Sequence, residues 1–381
     1  MRAQEIVWRE TEGWSRTGAA ADAGVVLYFG ARQTLADGAR YNELRTLYPN
    51  ARIIGCSTGG QIQTDDVGDD MVAGIALSFD ATKIKSAIET IAGPESSRTC
   101  GEAIGRALQA DDLSGIFVLS DGLNVNGSHL VAGITGVIGD RVPLTGGLAG
   151  DGALFEQTLV GADCAPRSHT IAALGFYGSA IRIGHGSAGG WDVFGPRRRI
   201  NRSYGNILHE LDGEPALDLY ERYLGDDSKG LPGSALLFPL QISHPERPDH
   251  ELVRTVLSVD RAARSMTFAG DVPQGWNARL MRGNFDRLAA GAADAARLSQ
   301  LRATDRGESD QVAILVSCIG RRLLMGQRVT DEVEAAGAEL GARTSRLGFY
   351  SYGEISPHAV SGHCELHNQT MTVTAISESA G

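Results

Sequence analysis

Residues 24–30, GVVLYFG, lead through a helical stretch to residues 52–62, RIIGCSTGGQI, and this grammar is written three times. Residues 115–122 (GIFVLSDG) lead to 142–151 (VPLTGGLAGD), and residues 312–320 (VAILVSCIG) lead to 346–355 (RLGFYSYGEI). Each copy is a short apolar run, a helical spacer, and a second apolar run that breaks into Gly with Ser, Thr or Tyr. Runs this short, continuous and Gly-flanked read as strands buried on both faces. A strand–helix–strand unit implies parallel pairing. Such a unit does not bury its own apolar face, so the copies must pack on one another. Their Gly-rich ends should then gather where backbone is accessible to a ligand.

Working outward, Tyr41, Leu44, Leu47 and Tyr48 predict a helix over 37–48 that Pro49 stops. Residues 72–79 and 83–90 read as two strands of a hairpin joined by 80–82. Helices are expected at 100–108 and 128–138, and antiparallel strands at 158–160, 170–176 and 180–185. Residues 186–200 read as a loop beside a domain boundary. Residues 216–224 read as helix, 225–233 as a polar loop, and 252–259 with 265–268 as a hairpin. Met281, Phe285, Leu288, Ala292 and Ala295 make one apolar stripe, which predicts a single helix over 277–298. Asp331 is a candidate cap with Glu334 in capping-box position, Gly341 a C-cap, and 370–376 a half-buried alternating strand. The fold class expected is α/β (mixed α+β), with repeated strand–helix–strand units in layered mixed sheets and helices outside.

A chain of 381 residues suits two or three domains. The net charge of −11 argues against a surface that tracks nucleic-acid phosphates, so no nucleic-acid partner is expected. The five cysteines are scattered without a CxxC pair, which fits a reducing compartment. No apolar stretch approaches the roughly 20 residues that span a bilayer, and residues 1–16 hold no apolar targeting core. The expectation is a cytoplasmic protein without membrane insertion.

Residues 55–59, GCSTG, satisfy G-x-S-x-G, which in a hydrolase sets the Ser on a turn between strand and helix. The following QIQTDDVGDD is not helical, so the segment reads as a Gly-rich turn whose backbone can reach an anion, with Cys56 and Ser57 facing the ligand. A hydrolase using Ser57 or Cys56 is a remaining alternative. Asp121, Asn124, Asn126 and Ser128 either fix a polar ligand at a strand end or form the turn and N-cap of the next helix. Glu354 can meet an ammonium group, with Tyr350 or Tyr352 covering it by cation–π contact. Arg321, beside Ser317 at the end of the preceding strand, can clamp a carboxylate. An arginine and a glutamate together suit an amino acid. His358, His363, Cys364 and His367 form a His/Cys cluster, but Pro357 and Gly362 break the helix that an i, i+4 zinc pair needs.

Three sets of stretches together resemble the FIST family. They are 55–61 (GCSTGGQ) with 119–133 (LSDGLNVNGSHLVAG) and 145–155 (TGGLAGDGALF); 281–290 (MRGNFDRLAA) with 316–322 (VSCIGRR); and 348–355 (GFYSYGEI) with 364–371 (CELHNQTM). The resemblance implies an N-type domain over 20–195 and a C-type domain over 205–378. It implies an intracellular, non-enzymatic sensor in signal transduction that binds a small molecule such as an amino acid. With no kinase or cyclase signature in the chain, the output would be a separately encoded protein such as a histidine kinase or cyclase. Gly147, Asp151, His367 and Asn368 fall in the family motifs and are taken as pocket residues. The family offers no catalytic residues to carry over. No cofactor is expected; the alternative is a heme-binding nitric-oxide sensor that regulates a histidine kinase. No histidine lies between His250 and His358, so residues 277–298 supply no axial ligand.

Overall fold

The computed structural model describes residues 1–18, 22–301 and 310–379, and in it each copy is one mixed sheet. In the first, Val25–Gly30 and Arg52–Ser57 pair in parallel across the helix Ala39–Leu47. In the second, Leu113–Ser120 and Leu144–Leu148 pair across Gly127–Ile138. In the third, Gln311–Cys318 and Thr344–Ser351 pair across Thr330–Leu340. The far side of each first strand takes an antiparallel return strand: Met71–Ser78, Thr170–Tyr177 or Met371–Glu378. Beyond that lies the strand that leads each copy: Arg2–Arg9, Lys83–Thr90 or Ile181–Ala188.

The copies also lend one another a strand. Gln61–Gln63 of copy one pairs with Thr344–Ser351 of copy three. Val160–Ala162 of copy two pairs with Arg52–Ser57 of copy one. Gly353–Pro357 of copy three pairs with Leu144–Leu148 of copy two. The exchange is cyclic, so the sheets close around one core. Leu27, Phe29, Cys56, Phe117, Leu119, Val316 and Phe349 fill it, with the Phe29 and Phe349 rings 4.5 Å apart. Helices cover the outer faces, which explains why strands such as Val25–Gly30 are buried at every position.

Several local expectations fail for identifiable reasons. Met71–Ser78 and Lys83–Thr90 form no hairpin, because one closes copy one and the other opens copy two. The amides of Asp80, Ala81 and Thr82 between them bind the Glu378 carboxylate of copy three instead of closing a turn. Residues 186–200 are not a loop: Ile181–Ala188 and Asp192–Tyr204 are strands interrupted at Gly189 and Gly190. Gly190 has φ +78°, and a Cβ there would lie 1.9 Å from the Arg287 carbonyl oxygen. Residues 277–298 are not one helix but the strand Asn277–Arg282 and the helix Phe285–Ser299, whose N-cap Asn284 accepts the Arg287 amide at 3.2 Å. The stretch 252–259 breaks at Thr255, and only Val256–Asp260 forms the hairpin with Ser265–Phe268. Residues 225–230 of the expected polar loop form a 3-10 turn. Asp331 does not cap its helix; Val329 holds that place, and Asp331 pairs with Arg328. Met371–Glu378 is buried throughout rather than half-buried, since one face meets the central core and the other the helix Phe285–Ser299.

Copy three carries an insertion between its leading strand and its first helix. The segment from Asp192–Tyr204 to Asn277–Arg282 builds a fourth, eight-stranded sheet over the helix Ala216–Leu224. It has its own core of Ile200, Leu208, Tyr220 and Phe268. Among the described residues no helix is long and apolar enough to cross a membrane.

Candidate functional site

The three Gly-rich ends do meet. The Gly59 amide donates to the Tyr350 carbonyl at 2.7 Å, and Tyr350 returns a bond to the Gly60 carbonyl at 2.9 Å. The Gly150 amide donates to the Ser57 carbonyl at 3.0 Å, and Tyr352 donates to the Leu148 carbonyl at 3.2 Å. A Cβ on Gly150 would come within 3.0 Å of the Gly59 nitrogen, so this junction depends on glycine. It is solid: the backbone groups are satisfied by one another rather than left for a ligand.

The open space lies beside the junction. A cavity of about 260 Å³ sits at the carboxyl ends of the parallel strands of copies two and three. Its walls are Gly122, Leu123, Val125 and Asn126 of the loop after Leu113–Ser120, Leu148 at the end of its partner strand, Cys318, Ile319 and Gly320 after Gln311–Cys318, and the ring of Tyr352. The insertion roofs it with Asn206, Thr255, Leu257, Phe268, Ala269 and Gly270. Strand ends in parallel units are where α/β folds place ligands.

Asp121 builds the loop wall. Its buried carboxylate accepts the amides of Leu123, Asn124 and His169, each at 2.8 Å, and the Asn124 side chain leans on it at 3.3 Å. Asn126 combines the two roles open to it. Its Oδ1 accepts the His129 amide at 3.0 Å as the helix N-cap, while the residue lines the cavity and donates from Nδ2 to Asp271 at 2.9 Å. The Tyr352 hydroxyl donates to Asp151 and to the Gly152 carbonyl, and burial pushes its phenol well above the ordinary range. Its ring stacks on Phe155 with centroids 4.6 Å apart. Asp151 also accepts the amides of Phe155, Glu156 and Gln157, and so shapes the segment that carries Phe155 to the cavity. On its other side Asp151 faces a wider hollow with Arg32, Thr58, Asp69, Leu154 and Arg322.

The remaining candidates lie away from the cavity. Ser317, Arg321 and Tyr350 are brought together, but on Glu332, which no sequence signal marked. The wholly buried Arg321 guanidinium meets Glu332 at 2.7 Å and donates to the carbonyls of Leu288 at 2.8 Å and Gly189 at 2.5 Å. Ser317 Oγ and the Tyr350 hydroxyl each donate to Glu332 at 2.9 Å. Glu354 is buried apart from this group and accepts from Ser351 Oγ at 2.8 Å and Thr370 Oγ1 at 2.9 Å. Burial pushes its carboxyl up to about 8. No clamp for an amino acid forms between Arg321 and Glu354.

Ser57 Oγ donates to the Gly150 carbonyl at 2.7 Å and accepts the Leu159 amide at 2.9 Å, and among the described residues no base bonds to it. Cys56 lies in the central core, where burial lifts its thiol well above the ordinary range. Gly147 pairs with Glu354 across the exchanged strand, where a Cβ would strike Val316 at 2.7 Å. His367 is buried, pulled down to about 3 by burial, and bonded to the Ser356 carbonyl at 3.0 Å. Asn368 donates to the His367 carbonyl. Among the described residues no group of three His, Cys, Asp or Glu could hold a metal.

A heme does not fit the cavity wall. The axial-ligand types lining it are Cys318, whose thiol burial pushes well up, and Tyr352, whose hydroxyl is held by Asp151. The roof is what sequence reasoning missed. Thr255, Leu257 and Phe268 stand in stretches read only as a hairpin, with nothing to show what they cover.

Three sheets closed by strand exchange, with a mainly apolar cavity at their strand ends, define an α/β repeat protein. Residues 24–214 match the FIST N domain and residues 216–357 the FIST C domain, so the chain belongs to the FIST family. FIST domains are sensory domains of signal transduction, regarded as binding small ligands. The N-domain match takes in the first two copies apart from the strand Arg2–Arg9, the C-domain match takes in the third between its leading and return strands, and the seam lies inside the insertion. No curated protein matches the chain. Among solved structures it is similar to cyanuric acid hydrolase from A. caulinodans, at 9% identity and a TM-score of 0.31, over 94% of this chain and 91% of that one. A likeness that slight bears on neither the fold nor the activity.

Proposed function

We propose that this protein is a non-enzymatic sensor. A small molecule occupies the cavity between copies two and three and the inserted sheet, and a separate signalling protein, such as a histidine kinase or cyclase, reads the occupied state. The cavity itself supports this reading. Its roof comes from the inserted sheet, which has its own core, and its other walls from the joined copies two and three, so a ligand that touches both favours one docking of the insertion over others. The bonding of Ser57 and the lifted Cys56 thiol speak against covalent chemistry. Residence in the cytoplasm is proposed on the five cysteines, all of them unpaired.

A thermal-shift screen of amino acids, small acids and small neutral compounds tests the proposal. A ligand at about 100 times its dissociation constant adds roughly 2.7 kcal/mol of apparent stability. Leu257 is 46% exposed and lines the roof, so Leu257→Trp narrows the cavity without disturbing a core. The expected result is a hit whose shift is lost in that variant. A hit that persists unchanged in Leu257→Trp places the ligand elsewhere and overturns the proposal.

A further inference from the structure

We infer that the ligand is electrically neutral, with an apolar body and one hydrogen-bonding end; this rests on the cavity being the sensory site. No charged side chain lines the cavity among the described residues. The charges just behind its wall are already answered. Asp121 and Asp151 are held by backbone amides. The buried Arg254, behind Gly270, donates to the carbonyls of Asp271 at 2.8 Å and Leu366 at 3.2 Å, with the negative charges of Glu365 and Asp271 nearby. A ligand carboxylate or ammonium entering here would be buried without a partner, which costs several kcal/mol.

Two polar groups in the roof are unanswered. Thr255 is 4% exposed, and its hydroxyl has no partner within the protein. Asn206 donates from Nδ2 to the Phe268 carbonyl at 2.7 Å, and among the described residues no donor reaches its Oδ1. A roof hydroxyl that gives or takes a bond, with a roof amide oxygen that only takes one, suits a ligand N–H or O–H: a carboxamide, a phenol or a ring N–H. Leu123, Val125 and Ile319 also line the cavity, and the stacked Tyr352–Phe155 pair offers a flat apolar face. The ligand class is therefore a small neutral molecule, planar and mainly apolar, with its donor directed at the roof.

Matched probes test this by ligand-observed NMR and calorimetry on the full chain. Benzamide and indole should bind, and binding should be lost in Leu257→Trp. Benzoate, benzylammonium and tryptophan should bind about 100-fold more weakly or not at all. Thr255→Val should weaken benzamide about 5- to 10-fold, the loss of one hydrogen bond, without lowering the melting temperature, and Thr255→Ser should restore affinity. If benzoate or benzylammonium binds as tightly as benzamide at a site that Leu257→Trp blocks, the sensory cavity stands and its neutrality is overturned. If no probe of either charge binds there, both readings fall. Should Thr255→Val fold poorly, the comparison of charged with neutral probes on the wild-type chain decides alone.

Discussion

Replacing Arg321 with methionine separates a structural arginine from a ligand clamp. The guanidinium holds Glu332 and the carbonyls of Leu288 and Gly189, and both ionic partners are 0% exposed. Arg321→Met leaves Glu332 as a buried charge answered only by Ser317 and Tyr350. Breaking a buried pair from one side costs about 3–5 kcal/mol. Two orphaned carbonyls add to that, though less than additively, so a loss of about 4–5 kcal/mol is expected. Against a native stability of roughly 5–15 kcal/mol that is about a quarter or more. Urea unfolding followed by tryptophan fluorescence is the assay, and Trp191 is a local reporter because its indole N–H bonds the same Gln369 carbonyl that Arg321 touches. The midpoint should fall steeply, and the double variant Arg321→Met/Glu332→Met should recover a substantial part, since an apolar pair replaces an ionic one. An unchanged midpoint in Arg321→Met together with lost ligand binding would refute the reasoning and restore Arg321 as a clamp.

Other expectations concern pH and the junction. Glu354 titrates near 8 when folded, raised by burial from an ordinary value of 4.5, so its contribution is complete below about pH 4.5 and is lost as pH rises through 8. Melting temperatures from pH 5 to 9 should fall more steeply for the wild type than for Glu354→Gln; parallel curves would contradict this. Burial alone would raise Glu378, but the amides of Asp80, Ala81 and Thr82 and the Thr82 hydroxyl outweigh it and hold the carboxyl at about 2, so its contribution, present above about pH 4.5, disappears as acid approaches pH 2. Glu378→Gln should flatten that acid limb in the same melting series. Ser57→Ala should cost about 1–3 kcal/mol in urea by orphaning the Leu159 amide, and wild-type Ser57 should stay unlabelled by fluorophosphonate; labelling would revive the hydrolase reading. Gly122→Ala places a Cβ 1.9 Å from the Ala149 carbonyl oxygen, so the loop wall must shift. We expect about 1–3 kcal/mol of destabilisation and weakened ligand binding, read by thermal shift.

The threefold grammar was legible because each copy repeats the same covalent logic: a continuous apolar run means a strand buried twice, and a Gly-rich end means close backbone approach. The match was good enough to locate the three units, although residues 143–152 read as a Gly-rich turn where Leu144–Leu148 forms the sixth parallel strand. What stayed hidden was which sheet a strand joins. The stretch 72–90 has hairpin spacing, yet its two strands part because three amides prefer a carboxylate almost 300 residues away. Periodicity misled at 277–298, where Met281 falls in step with the next helix by coincidence and the Gly283-Asn284 cap carries the true boundary. For the site, Asn126 and Tyr352 were legible as polar and aromatic groups at strand ends. Arg321 and Glu354 have the chemistry of a clamp, but sequence does not tell a charge facing a cavity from one facing Glu332 or Thr370. The roof was beyond reach, because an inserted sheet's docking face depends on its own fold.

The exchanged strands give the two family domains a shared fate. Cut at the seam between residues 214 and 216, the N-terminal piece would keep Val160–Ala162 on its host but leave Leu144–Leu148 with an open edge and Gln61–Gln63 paired on one side only, with Asp66–Gly68. The C-terminal piece would lose the guest on Thr344–Ser351 and the host of Gly353–Pro357 together. Bare edges of this kind recruit other chains, so each half made alone should aggregate, while the halves made together should find each other. The domain names mark a seam in the sequence, and the molecule stands or unravels as one piece.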